Sequence, residues 1–163
     1  RMTRGADEPW YYEQIALGCN YRMTDLQAAL GHSQMQRLDE FVARRRELAA
    51  RYNELLRDLP LTTPYVMEGT APSWHIYVVR LDFARIGKTK EQIFTEMKEW
   101  GIVLNLHYIP VHLQPYYERL GFAKGDFPHS EAYYEEALTL PLYYTLTDEQ
   151  QNEIVAALGE VLA

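Results

Sequence analysis

Three consecutive side chains near the start of the sequence have the chemistry to bind an anion. Asn20, Tyr21 and Arg22 offer an amide, a phenol and a guanidinium. Thr24 stands three residues before Gln27, which is the capping-box spacing, and an apolar run follows, so a helix is predicted to begin here. Backbone N–H groups and the helix dipole favour an anion at such a terminus. The alternative is that these polar residues only cap the helix.

A second group of candidate residues stands at the end of a predicted strand, with the sequence His107-Tyr108-Ile109-Pro110-Val111-His112. Loops at strand ends often carry functional residues. Two histidines five positions apart could ligate a metal, but no nearby carboxylate or cysteine completes such a site. We therefore predict no metal. From the residues alone, the two histidines are equally well explained as ordinary core or loop side chains.

Composition excludes several classes of protein. A net charge of −7 and the absence of a long Lys/Arg run argue against a nucleic-acid-binding protein. The one basic cluster, Arg44-Arg45-Arg46, lies in a helical pattern beside Glu47, which predicts a solvated helix face. A single cysteine, Cys19, excludes an internal disulfide. No stretch has the length and apolarity of a membrane span or a signal peptide, so no membrane partner is expected and a cytoplasmic location is predicted.

The first half of the chain is predicted to be dominated by one long helix. Apolar residues recur at spacings of three and four over residues 24–59, and the pattern is weakest around Gly31-His32-Ser33, where a bend or break is expected. Pro60 would stop this helix. Before it, the aromatic segment Pro9-Trp10-Tyr11-Tyr12-Glu13-Gln14-Ile15 is a candidate for extended structure.

The second half is predicted to be a small α+β domain. Alternating apolar residues predict strands over 74–83 and 102–108, and a short extended piece over 139–142. Thr89 with Gln92 and Thr147 with Gln150 are further capping boxes that begin helices. Short helices are expected near residues 115–120 and 130–138. This order gives two or three strands backed by helices.

Several segments together resemble the DegT/DnrJ/EryC1/StrS family of sugar aminotransferases, which are pyridoxal-phosphate (PLP) enzymes. The first segment is Leu17-Gly18-Cys19-Asn20-Tyr21-Arg22-Met23-Thr24-Asp25-Leu26-Gln27-Ala28-Ala29-Leu30-Gly31; the others are residues 44–52, 73–80, 106–117 and 128–142, followed by 146–150. The resemblance covers essentially the whole chain but only the C-terminal part of the family's length. Within the family, these segments are most similar to those of the branch that makes UDP-4-amino-4,6-dideoxy-N-acetyl-β-L-altrosamine in pseudaminic-acid synthesis.

The resemblance implies the fold. It is α/β, the C-terminal part of a fold-type I PLP transferase of the aspartate-aminotransferase type, with a long linking helix and a small α+β domain whose short sheet is backed by helices. Residues 1–59 would form the end of the large domain, the phosphate and substrate loop and the linking helix. Residues 60–163 would form the small C-terminal domain.

The resemblance also implies roles for the first loop. Asn20 would hydrogen-bond the cofactor phosphate of the neighbouring subunit, across a homodimer interface. Arg22 would add positive charge or brace the loop, the alternative being a structural salt bridge. Tyr21 would reach the substrate in that same neighbouring site. The active sites would therefore be shared between the two subunits.

The second loop is implied to line the pocket for a nucleotide sugar. His107, Tyr108, Ile109 and Pro110 would contact this substrate, with His112 directly behind them. Imidazole and phenol groups suit sugar hydroxyls and a diphosphate, because each can donate a hydrogen bond and offer a ring face.

The chain lacks the group at which PLP chemistry takes place. That chemistry needs a lysine to hold the aldehyde as a Schiff base and a carboxylate on the pyridine nitrogen. None of the chain's lysines matches the family's lysine motif, and they lie on or next to a surface helix or in a Gly-rich loop: Lys88, Lys90, Lys98 and Lys124. In the family, the catalytic lysine precedes the part that this chain resembles. We assign no catalytic residue and expect this chain alone to be inactive.

The resemblance implies that the complete enzyme moves an amino group, from L-glutamate, to C4 of a UDP-linked 4-keto-6-deoxy sugar, with PLP and pyridoxamine phosphate alternating. Within the family, a different keto-sugar or a dTDP-linked substrate is an alternative. Outside it, the chain could be a free-standing, non-catalytic module that binds a nucleotide sugar or a partner; such a module would expose no large apolar patch. A PLP-binding regulator is a further alternative, disfavoured by the absence of a DNA-binding element.

Overall fold

The computed structural model describes residues 2–3 and 13–163, and the chain divides into two units, Arg1–Leu38 and Asp39–Ala163. In the first unit, strands β1 (Met2–Thr3) and β2 (Glu13–Gln14) pair antiparallel, and helix α1 spans Asp25–Met35. Residues 9–12 of the candidate extended segment lie outside the described residues. None of the residues of α1 is buried.

The second unit contains a three-stranded antiparallel sheet in the order β3 (Leu61–Thr62), β4 (Tyr77–Leu81) and β5 (Ala137–Leu140). The helices in chain order are α2 (Leu38–Leu55), of which all but the first residue belong to this unit, α3 (Phe83–Ile86), α4 (Lys90–Glu99), α5 (Pro115–Glu118), α6 (Pro128–Glu136) and α7 (Asp148–Leu162). A 3-10 turn, Val111–Leu113, precedes α5.

One face of the sheet forms the core with α2, α4 and α7. Strand β4 alternates as a half-buried strand should, with Tyr77, Val79 and Leu81 buried and Arg80 exposed. Strand β5 is buried at all four positions. The helices contribute the apolar residues Leu48, Tyr52, Ile93, Met97, Ile154, Leu158, Val161 and Leu162 to the same cluster. The predicted small α+β arrangement is confirmed.

The predicted long helix is two helices. The prediction of a bend or break near residues 31–33 is wrong in position, because α1 runs through Gly31 to Met35 and the interruption comes at Gln36 and Arg37. There the N–H of Arg37 bonds the carbonyl of Gln34, which tightens the last turn and ends the regular helical ladder. The domain boundary that the sequence predicts between residues 59 and 60 refers to the complete enzyme and stays a prediction.

The predicted strand over residues 102–108 does not form. Only Asn105 pairs with β5, through a single bridge to Thr139. The side-chain oxygen of Asn105 accepts the N–H of Leu106, which takes a backbone donor away from any continued ladder. The segment is therefore a loop fixed to the sheet at one point.

The three adjacent arginines are not a plain solvated face. Arg45 Nη1 donates to the carbonyls of Trp74, His75 and Leu142 at 2.9, 3.0 and 3.1 Å. Arg46 bonds the carbonyls of Ala71 and Pro72, and Arg44 bonds that of Leu146. These connecting segments lack a sheet or helix partner for their carbonyls, so the guanidinium groups supply one.

We expect the pair Arg44–Asp148 to make stability depend on pH. Arg44 Nη2 donates to Asp148 Oδ1 at 2.8 Å, and this hydrogen bond is the main cause that lowers the pKa of Asp148 below its ordinary value of 3.8. Because the folded-state pKa is lowered, the contribution is present above the ordinary value and is lost as pH falls through the lowered one. Asp148→Asn should therefore lower the urea midpoint slightly at neutral pH, and the difference from the wild type should shrink as the pH is lowered below 3.8. A pH-independent difference would contradict this origin.

Candidate functional site

The loop before α1 is a tight turn that exposes the three candidate anion-binding side chains. Asn20 has a left-handed backbone conformation, with φ of 52°, which asparagine tolerates better than most residues. The N–H of Arg22 donates to the carbonyl of Asn20 at 2.7 Å, closing the turn. Tyr21 is 94% exposed. The turn therefore places an amide, a phenol and a guanidinium next to the N-terminus of α1.

The helix cap is provided by other residues. Thr24 Oγ1 accepts the N–H of Gln27 at 3.3 Å, and the Gln27 side chain accepts the N–H of Thr24 at 2.9 Å, so the predicted capping box is confirmed. The side chains of Asn20, Tyr21 and Arg22 make no bond to another described residue. The donors of Asn20 and Arg22 suit the phosphate of PLP in their chemistry. Their role in binding it stays a prediction.

Two of the four lysines, Lys88 and Lys90, make hydrogen bonds within the second unit. Lys88 Nζ donates to Glu96 at 2.9 Å and to the carbonyl of Val161 at 2.7 Å. Lys90 bonds the carbonyl of Tyr134 and lies over its ring, and burial lowers the pKa of Lys90. All four lysines belong to the second unit.

The second candidate loop begins at a fixed point on the sheet. Asn105 and Thr139 exchange two backbone hydrogen bonds, of 3.2 and 2.8 Å. The buried hydroxyl of Thr139 also lies 2.9 Å from His107 Nδ1. The rings of Tyr108 and His107 pack edge to face, with centroids 4.6 Å apart, and Tyr108 is 73% exposed. Thr139 thus orients a half-buried imidazole that neighbours an exposed phenol.

The far end of the loop turns into the protein. Ile109 is 46% exposed, whereas Pro110 is buried and His112 is only 7% exposed. His112 Nε2 lies 2.7 Å from Glu131 Oε1, a carboxylate in the first turn of α6. The backbone N–H of Gly125 and the imidazole of His112 lower the pKa of Glu131, the former being the larger cause. His112 is therefore buried at the end of the loop, and its proposed place behind the substrate-contacting residues stays a prediction.

Two residues of this arrangement have no signal in the sequence. Glu131 and Thr139 are 19 and 32 positions away from the histidines that they contact. A glutamate after Pro128 indicates only the acidic first turn of a helix, and a threonine in a strand is ordinary. The candidate residues themselves fall into two sets, residues 20–22 in the first unit and residues 107–112 in the second.

The described residues contain neither a metal-binding cluster nor a helix that could span a membrane. Within residues 2–3 and 13–163, no three side chains of the metal-binding types His, Cys, Asp and Glu come together in one place. Over the same residues, none of the helices combines the length and the apolar character of a bilayer span.

Comparison with known proteins identifies the family. The model of the DegT/DnrJ/EryC1/StrS aminotransferase family matches residues 2–159. The spore coat polysaccharide biosynthesis protein SpsC of Bacillus subtilis is 38% identical over 156 residues, which are 94% of this chain and 40% of SpsC. The chain thus spans about 40% of the length of the curated relatives that it matches.

Solved structures agree with the fold. The PMP form of Spr1654 from Streptococcus pneumoniae superposes with a TM-score of 0.87 at 28% identity, over 99% of this chain and 42% of that one. Helicobacter pylori PseC, an aminotransferase involved in the biosynthesis of pseudoaminic acid, has a TM-score of 0.84 over 99% of this chain and 43% of its own; its 23% identity shows the fold alone. The predicted α/β fold of the aminotransferase type is confirmed, and this chain belongs to the DegT/DnrJ/EryC1/StrS aminotransferase family.

Proposed function

We propose that this chain is the C-terminal part of a PLP-dependent nucleotide-sugar aminotransferase. The complete homodimeric enzyme transfers an amino group from L-glutamate to C4 of a UDP-linked 4-keto-6-deoxy sugar. The substrate that we favour is the keto precursor of UDP-4-amino-4,6-dideoxy-N-acetyl-β-L-altrosamine, because the segments that resemble the family are most similar in sequence to the branch that makes this sugar. The observation that carries the proposal is the family match over residues 2–159, combined with an exposed donor loop at the start of α1.

A substrate in carbohydrate synthesis is supported by the relatives. SpsC is a spore coat polysaccharide biosynthesis protein, which is consistent with a sugar substrate. A PMP form of Spr1654 supports alternation between PLP and pyridoxamine phosphate in this family. PLP, when bound, supplies the electron sink that amino-group transfer needs.

The first loop would hold the cofactor. The Asn20 amide and the Arg22 guanidinium donate to phosphate oxygens, and charge-assisted bonds of this kind are the stronger ones. The positive end of α1 adds to the same attraction. Tyr21, with its ring exposed, is free to extend toward the substrate bound in the neighbouring site.

The second loop would bind the sugar. Because the Nδ1 edge of His107 is taken by Thr139, the Nε2 edge is the one that meets a sugar hydroxyl or the diphosphate. Tyr108 and Ile109 offer a phenol and an apolar surface beside it. Pro110 gives the loop a rigid backbone, and the buried His112 supports it from behind.

The exposed apolar residues of the first unit argue against a free-standing module. Six large side chains are 64–95% exposed: Leu17, Tyr21, Met23, Leu26, Leu30 and Met35. A module that worked alone would be expected to avoid such a surface. In the proposed enzyme, the rest of the large domain and the second subunit cover it. The chain without those parts is proposed to be inactive.

The proposal is tested by assaying the complete protein. With PLP and L-glutamate, we expect a UDP-4-keto-6-deoxy sugar to gain an amino group, detected by mass spectrometry of the product. Turnover of dTDP-linked sugars alone would move the protein to the alternative substrate within the family. Binding of nucleotide sugars without turnover of any keto-sugar would overturn the enzyme in favour of a non-catalytic module.

Asn20→Ala in the complete protein is expected to weaken PLP binding about tenfold, the effect of losing one hydrogen bond to a charged group. The exposed amide supports nothing else among the described residues, so the melting temperature of the PLP-free enzyme should not change. Titration with PLP, followed by absorbance, measures the affinity. Asn152→Ala, which removes an exposed amide of α7 that accepts a hydrogen bond from Arg51, is the control for PLP affinity. Unchanged affinity in the Asn20 variant would exclude the phosphate role.

A further inference from the structure

The carboxylate of Glu131 joins three segments near the candidate substrate loop. Its Oε1 atom lies 2.7 Å from His112 Nε2, and it accepts the backbone N–H of Gly125 at 2.8 Å and that of Phe127 at 3.4 Å. Glu131 itself belongs to α6, while His112 belongs to the 3-10 turn. One oxygen atom thus ties the end of the substrate loop to the segment that precedes α6.

The contact is enclosed. The side chains of His112 and Glu131 are only 7% and 12% exposed. The ring centroids of Phe127 and His112 are 4.8 Å apart, and those of Phe122 and Phe127 are 6.2 Å apart. A hydrogen bond shielded from water in this way is stronger than one at the surface, and its loss leaves a buried donor without a partner.

The bond also fixes which imidazole nitrogen carries the proton. The lowered pKa keeps Glu131 ionised at neutral pH, and an ionised carboxylate only accepts hydrogen bonds. His112 Nε2 therefore donates. The ring cannot rotate by half a turn without giving up this bond, so the bond favours one orientation of the His112 side chain.

The loop is consequently anchored at both ends. At its start, Thr139 holds Asn105 and His107, and at its end Glu131 holds His112. The exposed residues Tyr108 and Ile109 lie between these two anchors. Releasing one anchor would let the segment between them move, and binding would then have to restore its order.

We propose that Glu131 is a positioning residue for the nucleotide sugar, acting through His112 to hold the loop from His107 to Pro110 in its binding conformation. Glu131 does not touch the substrate. This inference rests on the proposed function, in which that loop binds the nucleotide sugar.

The test measures binding of UDP-N-acetylglucosamine, a stable nucleotide sugar, to the complete PLP-loaded protein by calorimetry. Glu131→Ala is expected to bind this probe about tenfold more weakly, because a buried hydrogen bond to a charged group is lost. Glu131→Gln, which can still accept the same N–H groups, should recover most of the affinity. The reaction of the bound cofactor with L-glutamate, followed by absorbance, should change less than about twofold in both variants.

Glu136→Ala is the matched control. Glu136 is on the same helix as Glu131, and this variant also removes a hydrogen-bonded carboxylate. Its Oε2 accepts from Arg80 at 2.7 Å on the exposed face of the sheet. This variant should bind the probe as the wild type does. Equal weakening by both alanine variants would assign the effect to α6 as a whole and overturn the proposal.

A double-mutant cycle covers the case in which Glu131→Ala does not fold. If Glu131 acts through His112, then Glu131→Asp, whose shorter side chain draws the carboxylate away from His112 Nε2, should weaken probe binding in the otherwise unchanged protein but add nothing in a His112→Ala background. Additive effects would overturn the proposal. A wild-type protein that binds no nucleotide sugar would overturn the proposed function, whereas normal binding by every Glu131 variant would overturn only the positioning role.

Discussion

Tyr52→Ala is expected to lower the free energy of unfolding by about 3–5 kcal/mol, as for other large aromatic residues removed from a core. Tyr52 is fully buried in α2, and its ring stacks on that of Tyr77 in β4 with centroids 4.9 Å apart. Its hydroxyl donates to the carbonyl of Pro141 at 2.9 Å. One side chain thus connects a helix, the central strand and the segment after β5.

Two variants separate the contributions of the ring and the hydroxyl. Tyr52→Phe keeps the ring but leaves the Pro141 carbonyl without its donor, so a loss of about 1 kcal/mol is expected. Tyr65→Ala removes a tyrosine that is 89% exposed and should change stability little. Urea unfolding of the chain, followed by circular dichroism, gives all three values. A phenylalanine variant as unstable as the alanine variant would show that the hydroxyl, not the packing, dominates.

This packing reaches the candidate site through β5. Tyr52 bonds Pro141, two residues after Thr139, and Thr139 fixes both the backbone of Asn105 and the ring of His107. The position of the candidate substrate loop therefore depends on how well the strand is held against α2. Loss of this packing would therefore displace the candidate substrate loop even with every loop residue unchanged.

The sequence-based predictions were most accurate for features that depend only on residues close together in the chain. Thr24, Thr89 and Thr147 each stand three positions before a glutamine, and all three capping boxes form as predicted. The alternation of β4 is likewise visible in the burial of Tyr77, Val79 and Leu81. Both patterns are set within a few residues, so no knowledge of the tertiary fold is needed to find them.

What the sequence missed depends on distant partners. Arg45 was predicted to face solvent, but it bonds carbonyls 29, 30 and 97 positions away, in segments whose path is not encoded locally. The strand predicted over residues 102–108 had the right alternation but found only one point of pairing on β5. Glu131 was missed for the same reason as Arg45, since its partners come together only in the folded chain.

His107→Ala in the complete enzyme is expected to raise KM for the keto-sugar about 10- to 100-fold, through the loss of hydrogen bonds to a charged or polar substrate in a partly enclosed site. The half-reaction with L-glutamate should keep its rate, because the role that we propose for His107 is confined to the sugar substrate. Stopped-flow absorbance of the cofactor separates the two half-reactions. His75→Ala, an exposed histidine whose ring is outside the loop, serves as the control.

The design of this experiment has to allow for Thr139, whose buried hydroxyl loses its partner when His107 is removed. His107→Asn returns a polar group near that hydroxyl without restoring the imidazole, so it should recover stability but not KM. Equal damage to both half-reactions in His107→Ala and His107→Asn would make His107 a structural residue. A defect confined to the keto-sugar half-reaction can arise only if the loop acts on that substrate, because folding and cofactor binding serve both halves alike.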